Sequence, residues 1–205
     1  MAQVLVVCTG NICRSPMAEG FLNDLLDLHV DLGEPIEVSS AGTSAWDGSP
    51  ATMEAIKAAD ERESDISAHR ARRLQAHHIE RADLVLAMTQ DHAVATIQLV
   101  PPAAARTFTL KELVQIIETR TDRPEPVGSN AERLREHVKR ADQARLNGFE
   151  GNRFDLDVVD PIGLSQDTYR AVAWELDQLC TRLVDAMLGK ADAPSSLTAM
   201  WKEGE

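Results

Sequence analysis

The N-terminal stretch constrains the fold more than any other. Val4-Leu5-Val6-Val7 is a continuous apolar run rich in β-branched residues, and it leads straight into Cys8-Thr9-Gly10-Asn11-Ile12-Cys13-Arg14 and then Ser15-Pro16. Such a run suits a buried parallel strand. Ser15 suits an N-cap and Pro16 the first helical position. Met17, Ala18, Phe21, Leu22, Leu25 and Leu26 then recur with a helical period. The chain opens as strand, tight loop, helix, a unit whose strand needs parallel neighbours.

The rest of the sequence supplies those neighbours. Ile36-Glu37-Val38-Ser39-Ser40 predicts a second strand ending at Ala41-Gly42-Thr43, and Pro50 the start of a helix through about Ala59. Residues 82–88 predict a third strand, Val94, Ile97 and Gln98 a helix after it, and residues 106–110 a short fourth strand. Leu113, Val114, Ile116 and Ile117 belong to a further helix. From near Ser165 a long helix carries one apolar stripe from Tyr169 through Leu176 and Cys180 to Met187, and Gly189 ends it. Strands alternating with helices give an α/β domain, a parallel sheet covered on both faces, over residues 1–190.

Two segments break the rhythm. Residues 119–152 hold Pro124, Pro126, Gly128, Gly148 and Gly151 around a charged helical stretch, 131–146, whose apolar positions Leu134, Val138 and Ala141 form a narrow stripe. This reads as an insertion, a surface helix with flexible flanks. Residues 191–205 read as a polar, mobile tail.

The formal net charge of −12 makes a poor general binder of nucleic acid or of an anionic membrane, so an anionic ligand needs a strong local site. No apolar run reaches the roughly 18–20 residues that span a bilayer. Met1-Ala2-Gln3 lacks the basic start of an export signal, which predicts a cytoplasmic protein. Cys8, Cys13 and Cys180 are too few for a disulfide framework, and the histidines show no ligand spacing, so reduced thiols, no metal and no cofactor are expected.

The loop carries the chemistry. Backbone N–H groups of a tight turn entering a helix converge on one point and attract a dianion there. Arg14 adds a planar fork suited to phosphate, and Gly10 and Asn11 tolerate left-handed backbone. Cys8 sits at the base of this cradle, where the positive field favours thiolate over thiol. A nucleophile beneath a phosphate predicts phosphoryl transfer through a phosphocysteine, with amides and Arg14 neutralising the charge. Ser15 either caps the helix or donates its hydroxyl to Cys8.

The string from Cys8 to Pro16 resembles the signature of the low-molecular-weight protein tyrosine phosphatases. The likeness continues in Met17-Ala18-Glu19, in Ser39-Ser40-Ala41-Gly42-Thr43, in Ile66-Ser67-Ala68-His69-Arg70-Ala71-Arg72 and in Asp160-Pro161, over about 1–118 and 155–188. The resemblance implies a four-stranded parallel sheet with helices on both faces, and hydrolysis of phosphotyrosine in a phosphorylated protein. It implies Cys8 as nucleophile, Arg14 as clamp, and Thr9, Gly10, Asn11, Ile12, Cys13 and Ser15 as the remaining phosphate loop. Asn11 would hold the loop's shape with Ser40 and His69 as supports, and Asp160 would be the general acid. Taken without the resemblance, Asp160-Pro161 is a turn in an acidic neighbourhood with Asp155 and Asp157. Some members use a cysteine at the position of Cys13 to rescue an oxidised nucleophile, whereas in packing terms Cys13 is a small apolar filler.

Departures from the family pattern sharpen the expectation. Many members carry tyrosines after the Asp-Pro pair; here Ile162 and Gly163 stand there, and Tyr169 lies on an apolar helix stripe. Trp46, in a Ser/Gly/Asp loop, falls where the family has an aromatic wall. Bacterial relatives that hydrolyse phosphoarginine carry threonine where this chain has Ile12, and a bulky apolar wall suits an aromatic ring better than a guanidinium. Thioredoxin-coupled arsenate reductases share the loop but need further cysteines after the third strand, where residues 83–118 have none. A non-catalytic phosphate-binding module would need neither Cys8 nor Asp160.

Overall fold

Alternation along the first strand decides where the core lies. The computed structural model describes residues 1–29, 33–119, 128–149, 151 and 155–189. In β1 (Ala2–Cys8), Val4 and Val6 face a large apolar layer, while Leu5 and Val7 face a smaller one. β1 is flanked on one side by β2 (Ile36–Gly42) and on the other by β3 (Leu84–Ala87), with β4 (Thr107–Thr109) at the edge. All pairings are parallel, so the strands' carboxyl ends lie together; Cys8 pairs with Gly42 and Val7 with both Ala41 and Ala87.

The large layer is filled by α1 (Arg14–Asp27), α2 (Met53–Asp60), α5 (Leu110–Thr119), α6 (Asn130–Leu146) and α7 (Gln166–Leu188). The small layer holds Ile79 of α3 (Ala76–Arg81) and Ala103 of the 3-10 turn Pro101–Arg106, which follows α4 (Gln90–Leu99). No helix among the described residues is long and apolar enough to cross a membrane.

The expected four strands and both helical layers are present. Three local expectations are corrected. The second helix begins after Thr52, whose side chain accepts the Ala55 N–H, and not at Pro50, which instead bridges to Arg70. α1 starts at Arg14, ahead of Ser15, and Cys13 precedes it with no side-chain cap. The expected surface helix is a wall of the core: Leu134 is 0 % exposed, as are Ala131 and Ala141, small residues that let the helix approach closely. Its end is anchored by Arg145, whose guanidinium lies 3.8 Å over the Phe108 ring and donates to the carbonyls of Thr107 and Ala104. The tail 191–205 and most of the expected flexible flanks fall outside the described residues.

In this strand order the chain leaves β1 toward β2 and returns on the far side to β3. The carboxyl end of β1 is therefore the crevice where open α/β sheets bind ligands. Cys8 stands at that point.

Candidate active site

The loop after β1 turns its carbonyls outward. Thr43 N–H donates to the Cys8 carbonyl, Ser44 N–H to that of Thr9 and Thr52 N–H to that of Ile12, each at 2.9 Å, and His69 Nε2 lies 2.8 Å from that of Asn11. In a trans peptide the C=O and the following N–H point opposite ways. The N–H groups of Gly10, Ile12 and Cys13 therefore face the inside of the loop, around Cys8 Sγ. Asn11 N–H already points at the sulfur, 3.3 Å away.

Asn11 holds this shape with φ 54°, a left-handed backbone that asparagine tolerates better than most residues. Its side chain is fully satisfied. Oδ1 accepts Arg72 N–H at 2.8 Å, and Nδ2 donates to Ser15 Oγ at 2.9 Å and to Ser40 Oγ at 2.7 Å. Because Ser15 accepts from Asn11, its own proton is available for Cys8 Sγ, 2.9 Å away. Ser15 thus takes the second of its two expected roles. Ser40 in turn donates to Glu19 Oε2 at 2.5 Å, and His69 Nδ1 lies 3.8 Å from the same carboxylate. Gly42 is required where β2 meets the loop, since a Cβ there would stand 2.5 Å from the Thr9 carbonyl oxygen and 2.9 Å from Asn11 N.

Arg14, buried in the first turn of α1, is aimed by a strap of chain running from Asp155 to Asp160. Nη1 donates to the Val158 carbonyl at 3.1 Å, and Nη2 donates to Asp160 Oδ2 at 2.5 Å. Nε is buried with no partner, a donor that an oxyanion in the loop would take. The strap is fixed by its other members. Val158 N–H donates to the Met88 carbonyl, Asp157 Oδ1 accepts Gln90 N–H at the start of α4, and Asp155 pairs with Lys111, which also binds Glu175. Asp155 and Asp157 are anchors, and Asp160, 41 % exposed, is the carboxylate facing the loop.

Cys13, at the start of α1, packs into the core beside the loop. Its Sγ lies 3.6 Å from both Thr52 Oγ1 and the hydroxyl of Tyr169, among core residues, and burial first, then the field of Cys8, pushes its thiol up. Tyr169 is 2 % exposed, as its place on the helix stripe implied. Trp46 is 83 % exposed on the loop between β2 and α2, and Ile12 is half-buried. Sequence reasoning singled out neither Arg72 nor Thr52, nor the pairing of Thr9 Oγ1 with His92 Nε2 at 2.9 Å. Thr52 and His92 stand alone in sequence and carry no spacing signal, and Arg72, although inside the family-like stretch 66–72, acts through its backbone N–H, which no side-chain pattern marks; the fold brings them to the loop.

Comparison with known proteins agrees with this geometry. The family model described as low molecular weight phosphotyrosine protein phosphatase matches residues 3–149. A protein-arginine-phosphatase of Geobacillus stearothermophilus is 33 % identical over 186 residues, 90 % of this chain and 95 % of that one. A probable low molecular weight protein-tyrosine-phosphatase, EpsP of Ralstonia solanacearum, is 44 % identical over 85 residues, 42 % of this chain and 54 % of that one. The crystal structure of the low molecular weight protein tyrosine phosphatase from T. tengcongensis superposes with a TM-score of 0.64 at 34 % identity, covering 90 % of this chain and 99 % of that one.

Proposed function

The chain belongs to the low molecular weight phosphotyrosine protein phosphatase family, and we propose that within it the protein hydrolyses phosphotyrosine in phosphorylated proteins through a phosphocysteine. The observation that carries this reading is the inside of the loop: Cys8 Sγ sits among inward-facing amides, with the buried Arg14 Nε unpartnered beside them. A phosphoryl group seated there takes those donors. Cys8 attacks phosphorus, and the charge on the equatorial oxygens falls on amides and guanidinium already in place. Asp160 passes a proton to the departing phenolate oxygen, then accepts one from the water that cleaves the S–P bond, and the Ser15 hydroxyl steadies sulfur as it attacks and leaves. The half-buried Ile12 and the exposed Trp46 supply apolar walls for a ring.

A second reading, phosphoarginine as substrate, is favoured by one observation: the Geobacillus relative matched along nearly its whole length is named an arginine phosphatase. Ile12 weighs against it, since it offers a leaving guanidinium no hydrogen bond.

The test compares hydrolysis of one peptide carrying phosphotyrosine or phosphoarginine, by wild type and Cys8→Ser. Wild type should prefer phosphotyrosine, and Cys8→Ser should fall to background on both. Substantial turnover by Cys8→Ser would sink the covalent route. Ile12→Thr should move the preference toward phosphoarginine; a wild type that already prefers phosphoarginine would establish the second reading.

A further inference from the structure

His92 stands in the first turn of α4, 6 % exposed. Its ring lies between two hydroxyls, Nδ1 being 2.7 Å from Thr89 Oγ1 and Nε2 2.9 Å from Thr9 Oγ1. Each hydroxyl has another partner. Thr89, the N-cap of α4, accepts the backbone N–H of His92 at 3.4 Å, and Thr9 accepts Arg14 Nη2 at 3.4 Å. A hydroxyl has one proton and two lone pairs, and a neutral imidazole one donor and one acceptor. The direction of this relay decides what Thr9 offers the loop. If Thr9 donates to the ring, a lone pair is left toward a bound anion and repels it. If the ring donates to Thr9, both Thr9 lone pairs are filled and its proton is left for the anion.

We propose that His92 is a positioning residue of the phosphate site: it accepts the Thr89 proton at Nδ1, donates from Nε2 to Thr9, and so commits the Thr9 hydroxyl to donate to an oxygen of the bound phosphoryl group. This rests on the phosphatase reading above. Thr89 can fill its part: one of its lone pairs takes the His92 backbone N–H, and its proton is free to point at Nδ1. The ring is held neutral, its pKa lowered to about 4 first by burial and then by the Arg14 guanidinium. The carboxylates of Asp160, Asp91 and Asp157 pull the other way without overcoming this. A neutral ring keeps one direction of donation across the neutral pH range.

Two measurements test the proposal. Ring 15N shifts of wild-type protein should show His92 as the Nε2–H tautomer; the Nδ1–H tautomer would overturn it, whatever any variant does. In inhibition by vanadate, His92→Ala and Thr9→Val should each weaken binding about tenfold, the scale of one hydrogen bond to a charged group. The double variant should be no weaker than Thr9→Val alone, because His92 acts through Thr9. His92→Gln, whose amide can present N–H to Thr9, should recover much of the loss. Losses that add in the double variant would overturn the proposal. Failure of the phosphatase reading looks different: wild type would then bind no vanadate and hydrolyse no phosphorylated peptide, and this proposal would fall with it.

Discussion

At Asp160 one carboxylate serves two partners: Oδ2 rests on Arg14 and Oδ1 accepts the Ile162 N–H. A dianion in the loop competes for the Arg14 donors and frees Oδ2 to face the leaving oxygen. Asp160→Ala should therefore lower kcat by about 10²–10⁴-fold on poor leaving groups, the range of general acid catalysis, and much less on nitrophenyl phosphate. An equal loss on both would make Asp160 a structural ligand of Arg14. Cys13 invites a redox prediction. Peroxide attack on a thiolate at Cys8 gives a sulfenic acid, which a Cys13 thiolate converts to a disulfide by displacing hydroxide. Burial pushes the Cys13 thiol up, so fewer thiolates are available at neutral pH and condensation quickens as pH rises. After peroxide and then dithiothreitol, wild type should regain more activity than Cys13→Ser, and the gap should widen from pH 7 to 9. Equal recovery at both pH values would leave Cys13 as packing against Thr52 and Tyr169. Cys8, Arg14 and Asn11 were legible in sequence because a strand-to-helix loop concentrates them within a few positions. His92 was not, because it is recruited from the separate βα unit of β3 and α4, and the role of Arg72 was not, because a backbone N–H plays it.

Among the elements, strands were legible from short β-branched runs, since a strand buried on both faces leaves little room for polar residues. α6 was misread for a physical reason. Its burial is carried by small and amphipathic residues, Ala131, Ala141 and His137 beside Leu134 and Val138, which a scan for large apolar side chains undercounts. Alanines there allow close approach and do not weaken the contact. α3 escaped notice because only Ile79 of its residues is buried, leaving no period to detect. The corrected role of α6 has a measurable consequence. Leu134→Ala should cost about 2–5 kcal/mol in chemical unfolding, as a core truncation does, with kcat unchanged for the folded fraction because α6 supplies no group to the loop. A cost under about 0.5 kcal/mol, the ordinary range for surface substitutions, would return α6 to the exterior.

For the whole molecule, a net charge of −12 surrounds a site built to hold an anion. The local solution is to gather Arg14 with inward amides inside a crevice, where low dielectric strengthens their field against the average. Burial first, and then this concentration of positive charge, keep His92 neutral, and this links the site to folding. The His92 pKa is about 4 in the folded protein against an ordinary 6.5 once unfolded. Between those values the unfolded chain binds a proton that the folded one does not, so stability is complete above pH 6.5 and is lost as pH falls toward 4. From pH 7 to pH 5 this amounts to about 2 kcal/mol. Acidification also relieves repulsion among the excess carboxylates, and burial raises the pKa of Glu112; both favour the folded state as pH falls, so the raw Tm difference mixes opposing effects. The His92 contribution is isolated by His92→Gln, which cannot titrate. Stability measured by chemical unfolding at pH 7 and pH 5 should fall by about 2 kcal/mol more in wild type than in His92→Gln. Parallel pH profiles for the two proteins would mean that burial and the Arg14 guanidinium do not hold the imidazole neutral.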